Sequence, residues 1–247
     1  MANSKKVALI TGANRGIGFE TARQLGQNGV VIVVGARQQA EAQKAADTLK
    51  REGIDAYALG LDVTKSADRS AAARFLEQKF GRLDILINNA GVGPSDGLFE
   101  NRTSASTEEE LRSTYDINLF SVVHLTHELI PLLKKSEGGR IVNLSSILGS
   151  LTLHSAPSSP IAKFKKFAYN SSKTALNAFT IHLADELKDT KIKVNSVHPG
   201  WVKTELGSSA APMEIPDGAK TSVALALIGN DGPNGRFIQE TDQELPW

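Results

Sequence analysis

The feature that most constrains the fold is a regular alternation of short apolar runs with longer helical patterns. The apolar runs are rich in Val, Ile and Leu, and we expect strands at residues 7–10, 30–34, 56–61, 84–87, 140–144 and 192–197, with a short final one at 236–238. Strands that alternate with helices predict a parallel sheet covered on both faces. Right-handed crossovers then give a doubly wound α/β fold, which binds ligands at the carboxyl ends of its strands.

Composition limits the class of protein further. A length of 247 residues suits one α/β domain, and we expect residues 1–247 to form a single domain. The formal net charge of +1 gives no field that would attract nucleic acid or an anionic membrane. Residues 1–6 lack the apolar core of a signal peptide, and no apolar run has spanning length. We therefore expect a soluble, cytoplasmic protein.

Few residues suit metal or thiol chemistry. The chain has no cysteine, which excludes disulfides, a thiol nucleophile and a thiolate metal site. His124 and His127 stand three residues apart, but no third ligand of suitable spacing accompanies them. We interpret them as helix-surface or packing residues and expect no metal site.

A glycine-rich turn joins the first expected strand to the first helix. Gly12, Gly16 and Gly18 define its spacing, and Asn14, Arg15 and Ile17 lie between them. Glycines let the chain turn tightly, so that backbone amides can approach a pyrophosphate at the helix N-terminus. The alternative is a strand-to-helix turn without a ligand. The flanking strand and helix favour a dinucleotide site.

The end of the second expected strand bears on which dinucleotide would bind. In dinucleotide folds an acid at this place binds the adenosine ribose hydroxyls. Here the strand runs into Arg37, and no acid comes before Glu41. The planar fork of Arg37 suits the 2′-phosphate of NADP, and Arg15 could supply a second positive charge. Two solvated surface arginines are the alternative. Asp62, followed by Val63, is a candidate partner for the adenine amino group or else a loop-capping residue.

Tyr169 and Lys173 lie four residues apart in a helix expected over residues 169–188. That spacing places both side chains on one helix face. A phenol beside an ammonium group can act as an acid–base pair, because a nearby cation favours the phenolate. On its own the pattern is equally typical of a solvated helix face.

Taken in order, these residues resemble the classical short-chain dehydrogenase/reductase family along nearly the whole chain. The resemblance is carried by residues 11–18, Asp62, residues 88–91, Asn118, Ser146, Tyr169, Lys173 and residues 199–200. Residues 198–204 and 232–235 resemble the carbonyl reductase branch in particular. The resemblance implies a Rossmann-like sheet of seven parallel strands and a nicotinamide cofactor, here NADP(H) rather than NAD. It also implies reversible reduction of a ketone or aldehyde to an alcohol.

The same resemblance implies roles for individual residues. Tyr169 would donate the proton, and Lys173, together with the positive nicotinamide of the oxidised cofactor, would lower the pKa of Tyr169 from about 10. Lys173 would also hydrogen-bond the nicotinamide ribose. Ser146, favoured over the adjacent Ser145 by the family pattern, would hold the carbonyl oxygen. Asn118 would hold a water that links Lys173 to solvent, or else bond back to its own helix. The other implied cofactor contacts are Asn89, Ala90, Gly91, Pro199, Gly200, Val202 and Thr204, although a Pro-Gly pair also marks ordinary turns.

The segment before Tyr169 departs from the usual family pattern. Ser146 and Tyr169 are 23 residues apart, farther than in most family members. In the carbonyl reductases that the chain resembles, a longer insertion here covers a helix face that otherwise serves assembly. We therefore expect a monomer or dimer rather than a tetramer. Segments of about 149–166 and 204–217 would wall the pocket for a small carbonyl or alcohol substrate.

Two other functions fit parts of the pattern. A regulatory protein could bind NADP without turnover, although such proteins tend to lose the acid–base residues that are present here. A dedicated 3-oxoacyl thioester reductase would share the whole site. Family membership leaves the natural substrate open, because one fold serves many substrates.

Overall fold

Parallel strands in an unbroken row form the centre of the protein in the computed structural model, which describes residues 5–94, 103–240 and 243–247. The strands are β1 Val7–Thr11, β2 Val31–Ala36, β3 Ala56–Gly60, β4 Ile85–Asn88, β5 Arg140–Leu144, β6 Lys193–His198, β7 Phe237–Gln239 and β8 Gln243–Glu244. Their order in the sheet is β3-β2-β1-β4-β5-β6-β7-β8. The direction of strand order reverses between β1 and β4, which places the ligand-binding crevice of a doubly wound fold at their carboxyl ends.

Helices cover both faces of this sheet. They are α1 Gly16–Gln27, α2 Gln39–Arg51, α3 Ser66–Phe80, α4 Glu108–Tyr115, α5 Ser121–Leu133, α6 Leu151–Ser155, α7 Phe167–Glu186 and α8 Ile215–Leu227. Short helical turns also lie in the connections: a 3-10 turn, Thr103–Ala105, precedes α4, a π-helical turn, Asp116–Phe120, joins α4 to α5, and a 3-10 turn, Ile147–Gly149, follows β5. In the described part of the chain, no helix combines the length and the apolar character needed to cross a membrane.

The two faces of the sheet build two separate hydrophobic cores. In β1, Ala8 and Ile10 pack with the helices α1, α2 and α8, whereas Val7 and Leu9 pack with α3, α5 and α7. All four side chains are buried. Burying an aliphatic side chain of this size stabilises the fold by about 1.5–3 kcal/mol. Apolar residues on both faces of a strand are therefore the reason why the runs in the sequence are continuous rather than alternating.

The expected α/β fold with seven parallel strands is confirmed, with local differences. The last parallel strand is Phe237–Gln239, one residue later than expected, and the two-residue β8 adds an antiparallel edge. So short a strand has no sequence signal, because it pairs only where the returning chain meets β7. The segment at 149–166, expected to be a loop, contains the short helix α6. Thr107 caps α4, because its hydroxyl accepts a hydrogen bond from the Glu110 amide at 3.1 Å.

Candidate active site

The glycine-rich turn after β1 is held in place from the neighbouring strand by Asn89. Gly12 and Gly16 adopt φ of 63° and 58°, a left-handed backbone that favours glycine. The Asn89 side-chain amide donates to the carbonyls of Thr11 at 2.7 Å and Gly12 at 3.1 Å. The hydroxyl of Thr11 in turn accepts from the amides of Asn89 and Ala90. Two segments that are almost eighty residues apart in sequence are thereby locked together at the switch point of the sheet.

Gly18 leaves no room for a side chain. A Cβ atom there would lie 2.4 Å from Asn89 Nδ2 and 2.6 Å from the Gly12 carbonyl oxygen. No side chain caps the N-terminus of α1, where Arg15 is the capping residue. The first amides of a helix that lack a cap are donors for an anion, and the helix dipole favours negative charge there. The turn therefore fits the pyrophosphate of a dinucleotide.

The residues expected around the adenosine half lie at the ends of β2 and β3. Arg37 directly follows β2 and is exposed. Asp62 accepts hydrogen bonds from the Thr64 amide at 3.1 Å and the Thr64 hydroxyl at 2.7 Å. These bonds, with lesser contributions from Lys65 and Arg37, lower the pKa of Asp62. One carboxylate oxygen of Asp62 thus stabilises the turn between Asp62 and Thr64. Arg69, which is buried, fixes the next residue by donating to the Val63 carbonyl at 2.8 Å.

Arg15 lies in a different setting from the one the sequence suggests. Its guanidinium forms an ion pair with Glu205, a residue of the segment after β6. Both side chains are largely exposed, at 62% for Arg15 and 75% for Glu205. Sequence reasoning did not single out Glu205, because nothing local connects it to a residue 190 positions away.

Three buried polar side chains lie together beneath the crevice at the carboxyl ends of the strands, those of Tyr169, Lys173 and Ser146. Tyr169 and Lys173 lie in the first turns of α7 and are buried, as is Ser146 directly after β5. A side-chain hydrogen bond joins Tyr169 to Ser146. The adjacent Ser145 bonds to Asn177 at 2.7 Å instead. Of the two serines, the structure therefore brings Ser146 to Tyr169.

Burial is the main influence on the pKa values of the pair. Burial raises the pKa of Tyr169 above its ordinary value of 10.0, opposed by the hydrogen bond with Ser146. The lowering expected from Lys173 together with the oxidised cofactor stays a prediction. The Lys173 ammonium lies 5.8 Å from the Tyr169 ring centre and donates to the Leu144 carbonyl at 2.8 Å. Burial lowers the pKa of Lys173 to about 8. Desolvation disfavours the charged form of each group, so both shifts have the same cause.

Asn118 lies in the π-helical turn between α4 and α5 and is buried. Its side chain accepts from the Val92 amide at 2.9 Å and donates to the Val92 carbonyl at 3.0 Å and to the Ser172 hydroxyl at 3.1 Å. A Cβ on Gly91 would lie 3.2 Å from Asn118 Oδ1 and 3.7 Å from Lys173 Nζ. The absence of a side chain at Gly91 therefore keeps open the space between Asn118 and Lys173.

A row of buried polar side chains, missed in the sequence, supports the strand ends below these residues. Asn88 donates to Asn143 at 2.8 Å, and Asn143 donates to Thr180 at 2.9 Å. Thr180 shares a further hydrogen bond with Ser196 at 2.8 Å. The row ties β4, β5 and β6 to α7. Its signal was present in the sequence as single polar residues inside otherwise apolar strands, because a buried polar group needs a partner.

The residues after β6 form a compact loop over the crevice. Pro199 and Gly200 turn the chain, with φ of 90° at Gly200, and Val202 forms an isolated bridge with Met213. Thr204 accepts from the Gly207 amide at 3.0 Å. A Cβ on Gly16 would lie 3.8 Å from the Thr204 methyl group, and one on Gly93 would lie 2.7 Å from the Leu206 side chain. The loop therefore contacts both the glycine-rich turn and the segment after β4.

The long segment before Tyr169 is fastened to the same helix. A Cβ on Gly149 would lie 2.9 Å from the main chain of Lys173, so the two backbones are in close contact. Asn170, next to Tyr169, lies 3.1 Å from His154 Nε2 and donates to the Phe164 carbonyl at 2.7 Å. Lys165 donates to the His154 carbonyl at 2.7 Å. The segment therefore lies beside the start of α7, next to the buried Tyr169.

Except for Asn118, which lies in the π-helical turn between α4 and α5, the predicted site residues thus lie after the carboxyl ends of the strands or in the first turns of a following helix. That arrangement defines a dinucleotide-binding α/β protein with a buried tyrosine at its crevice. Within the described ranges, no three His, Asp or Glu side chains converge on a common point that could hold a metal ion.

Comparison with known proteins identifies the family. Residues 6–215 match the family model of the short chain dehydrogenases, and the chain belongs to this family. It is 32% identical to a (+)-neomenthol dehydrogenase of Capsicum annuum over 95% of this chain and 96% of that protein. It is 30% identical to a carbonyl reductase [NADPH] 1 of Mus musculus over the full length of both. The structure of the carbonyl reductase Sniffer of D. melanogaster superposes with a TM-score of 0.84 at 29% identity, covering 98% and 100% of the two chains.

These relatives confirm the expected class of enzyme. The protein is an oxidoreductase that acts on carbonyl or CH–OH groups, of the carbonyl reductase type within its family. The family binds a nicotinamide cofactor, and the glycine-rich turn described above fits one.

Proposed function

We propose that the protein reduces a ketone or aldehyde to an alcohol with NADPH, reversibly, and that Tyr169 delivers the proton. The observation that carries the proposal is the convergence of Tyr169, Ser146 and Lys173, all buried, at the crevice where the glycine-rich turn ends. A solvated helix face, the alternative for a Tyr and a Lys four residues apart, does not explain two buried polar side chains. Buried polar groups that face a crevice are candidates for chemistry.

The reaction needs a hydride, which the nicotinamide cofactor supplies when bound, and a proton for the developing alkoxide. The raised pKa of Tyr169 keeps its phenol protonated at neutral pH, so the proton is in place for reduction. Ser146 interacts with Tyr169, and its role in this proposal is to hold the substrate oxygen beside the phenol. Exclusion of water strengthens both contacts, because the local dielectric is low.

Lys173 and Asn118 act on the phenolate that remains after transfer. The ammonium of Lys173, 5.8 Å from the Tyr169 ring, stabilises that negative charge. Asn118 uses both side-chain amide hydrogens on Val92 and Ser172. A water that returns the proton would therefore bind a free lone pair of its side-chain oxygen or its main-chain carbonyl, in the space left by Gly91. The role of Asn118 is to shape this space.

NADP(H) is the proposed cofactor, with NAD less suited. Arg37 stands at the end of β2 in the place where an acid would bind ribose hydroxyls, and Arg15 stands within the glycine-rich turn. The carbonyl reductase of the mouse carries NADPH in its name, which agrees with this choice. Equal catalytic efficiency with NADPH and NADH would contradict the role given to Arg37.

Replacement of Tyr169 by Phe tests the proposal. We expect Tyr169→Phe to lose activity by about 10²–10⁴-fold, the contribution of a positioned proton donor, while NADPH binding stays near normal. Tyr57→Phe, on β3 against Phe80, is the matched control and should keep full activity. Ketones, aldehydes and acyl thioesters should be compared as substrates. Near-normal ketone reduction by Tyr169→Phe would contradict the assignment.

The same panel separates the alternative functions. A strong preference for 3-oxoacyl thioesters would replace the carbonyl reductase proposal with the thioester reductase. NADPH binding with no turnover of any carbonyl compound would identify a sensing protein. We further propose a monomer or dimer, because the segment at 149–166 packs along α7. A cytoplasmic location is a separate proposal. Sedimentation as a tetramer, or recovery in a membrane or organelle fraction, would contradict these two points.

A further inference from the structure

Arg15 and Glu205 connect the glycine-rich turn to the loop that follows β6. Arg15 lies in the glycine-rich turn, and Glu205 lies in the loop after β6 between Thr204 and Leu206. Thr204 and Leu206 themselves contact Gly16 and Gly93. The ion pair therefore belongs to a set of contacts at which the loop meets the expected path of the dinucleotide.

The loop presents Glu205 in a defined position. The Ser208 amide donates to the Thr204 carbonyl at 2.8 Å, and the Trp201 ring nitrogen donates to the Gly207 carbonyl at 2.6 Å. A Cβ on Gly207 would lie 2.0 Å from the Val202 carbonyl oxygen, so the turn that carries Glu205 is tightly closed. Glu205 therefore pairs with Arg15 from a loop whose backbone is held in place by these contacts.

Each of the two arginines expected to bind the 2′-phosphate has an acidic neighbour, and this bears on cofactor choice. The carboxylate of Asp62 is engaged by Thr64 and lies within electrostatic reach of Arg37. Glu205 engages Arg15 in an ion pair whose two members are mostly exposed. A 2′-phosphate thus meets two arginines that already have acidic neighbours. Of the two acids, Asp62 is fixed in its loop, whereas Glu205 makes an exposed and therefore weak pair.

We propose that Glu205 is a specificity-determining residue, which holds Arg15 in competition with the 2′-phosphate of NADP and so limits the preference for NADPH over NADH. This inference rests on the proposed function, in which Arg15 and Arg37 receive that phosphate. Charge-assisted, bidentate bonds from arginine to phosphate are stronger than an exposed ion pair, so the phosphate displaces Glu205. A cofactor without the phosphate leaves the ion pair intact.

Binding measurements without turnover test this inference. Dissociation constants of NADPH, NADH, 2′,5′-ADP and 5′-AMP should be measured for the wild type and for Glu205→Gln at low ionic strength. We expect Glu205→Gln to bind NADPH and 2′,5′-ADP about 2- to 5-fold more tightly, the range that corresponds to an exposed ion pair. NADH and 5′-AMP should bind as they do to the wild type.

Two further variants identify the cause. Glu214→Gln removes the same charge at the other end of the loop, where Glu214 pairs with Lys203, and should change neither set of constants. In an Arg15→Gln background, Glu205→Gln should have no effect. The inference is overturned if Glu205→Gln leaves NADPH binding unchanged, tightens NADH equally, or acts without Arg15. A wild type that binds NADPH no more tightly than NADH would overturn the proposed cofactor preference as well, which separates the two failures.

Discussion

Replacing Gly18 by Ala gives a direct test of how the glycine-rich turn is built, because two effects of opposite sign compete there. Gly18 lies in α1, where Ala is favoured over Gly by about 1 kcal/mol. Against this, a Cβ would lie 2.4 Å from Asn89 Nδ2 and 2.6 Å from the Gly12 carbonyl oxygen. Overpacking of this kind costs about 1–3 kcal/mol.

The cost of the contact should exceed the gain in helix propensity. Moving Asn89 aside would break its bonds to Thr11 and Gly12, at about 1 kcal/mol for each. We therefore expect Gly18→Ala to lower the free energy of unfolding by roughly 2–3 kcal/mol in total. We also expect NADPH to bind at least about 10-fold more weakly, which corresponds to about 1.4 kcal/mol, because the displaced groups belong to the turn that receives the pyrophosphate.

Gly26→Ala, about two turns further along α1, is the matched control. Its Cβ would lie 2.2 Å from Ile54 Cγ2 and would meet only side-chain atoms of that residue. We expect cofactor binding to be unchanged, because Ile54 belongs to the hydrophobic core and not to the glycine-rich turn. Denaturant unfolding gives the stability of each variant, and titration of NADPH fluorescence gives its affinity. If Gly18→Ala binds NADPH within about twofold of the wild type, our reasoning about Asn89 and the turn is wrong.

Two further predictions concern pH. Ser146→Ala removes the hydrogen bond that lowers the pKa of Tyr169, so the alcohol-oxidation limb of the pH–rate profile should move to higher pH, and an unmoved limb would contradict the contact. Burial lowers the pKa of His198 from 6.5 to about 4, so the neutral form is favoured in the folded state. The stabilisation that depends on neutral His198 should be fully present above its ordinary pKa and should fall as the pH drops toward 4. At about pH 5 the loss in the free energy of unfolding should be about 2 kcal/mol. His198→Gln should abolish that part of the loss, as measured by urea unfolding. Equal pH dependence in both proteins would refute the assignment.

Much of the fold could be predicted because its signals are local. Continuous apolar runs such as residues 30–34 indicate strands buried on both faces, and that is where β2 lies. Thr107 begins a helix because its hydroxyl satisfies an amide three residues later. The strand β8 could not be predicted in this way. Its two residues pair with β7 only because the chain returns there.

The sequence by itself determined the α/β fold, the order of its motifs and the edge of the sheet at which they meet. These follow from periodicity and from glycine and proline chemistry, which act between residues close in the chain. Only the tertiary structure decided that burial raises the pKa of Tyr169 and that Arg15 forms an ion pair with Glu205. It also decided that the side-chain amide of Asn118 donates to Val92 and Ser172. Desolvation and pairing depend on which groups the fold encloses together. In the case of Arg15 and Glu205, those groups are 190 residues apart.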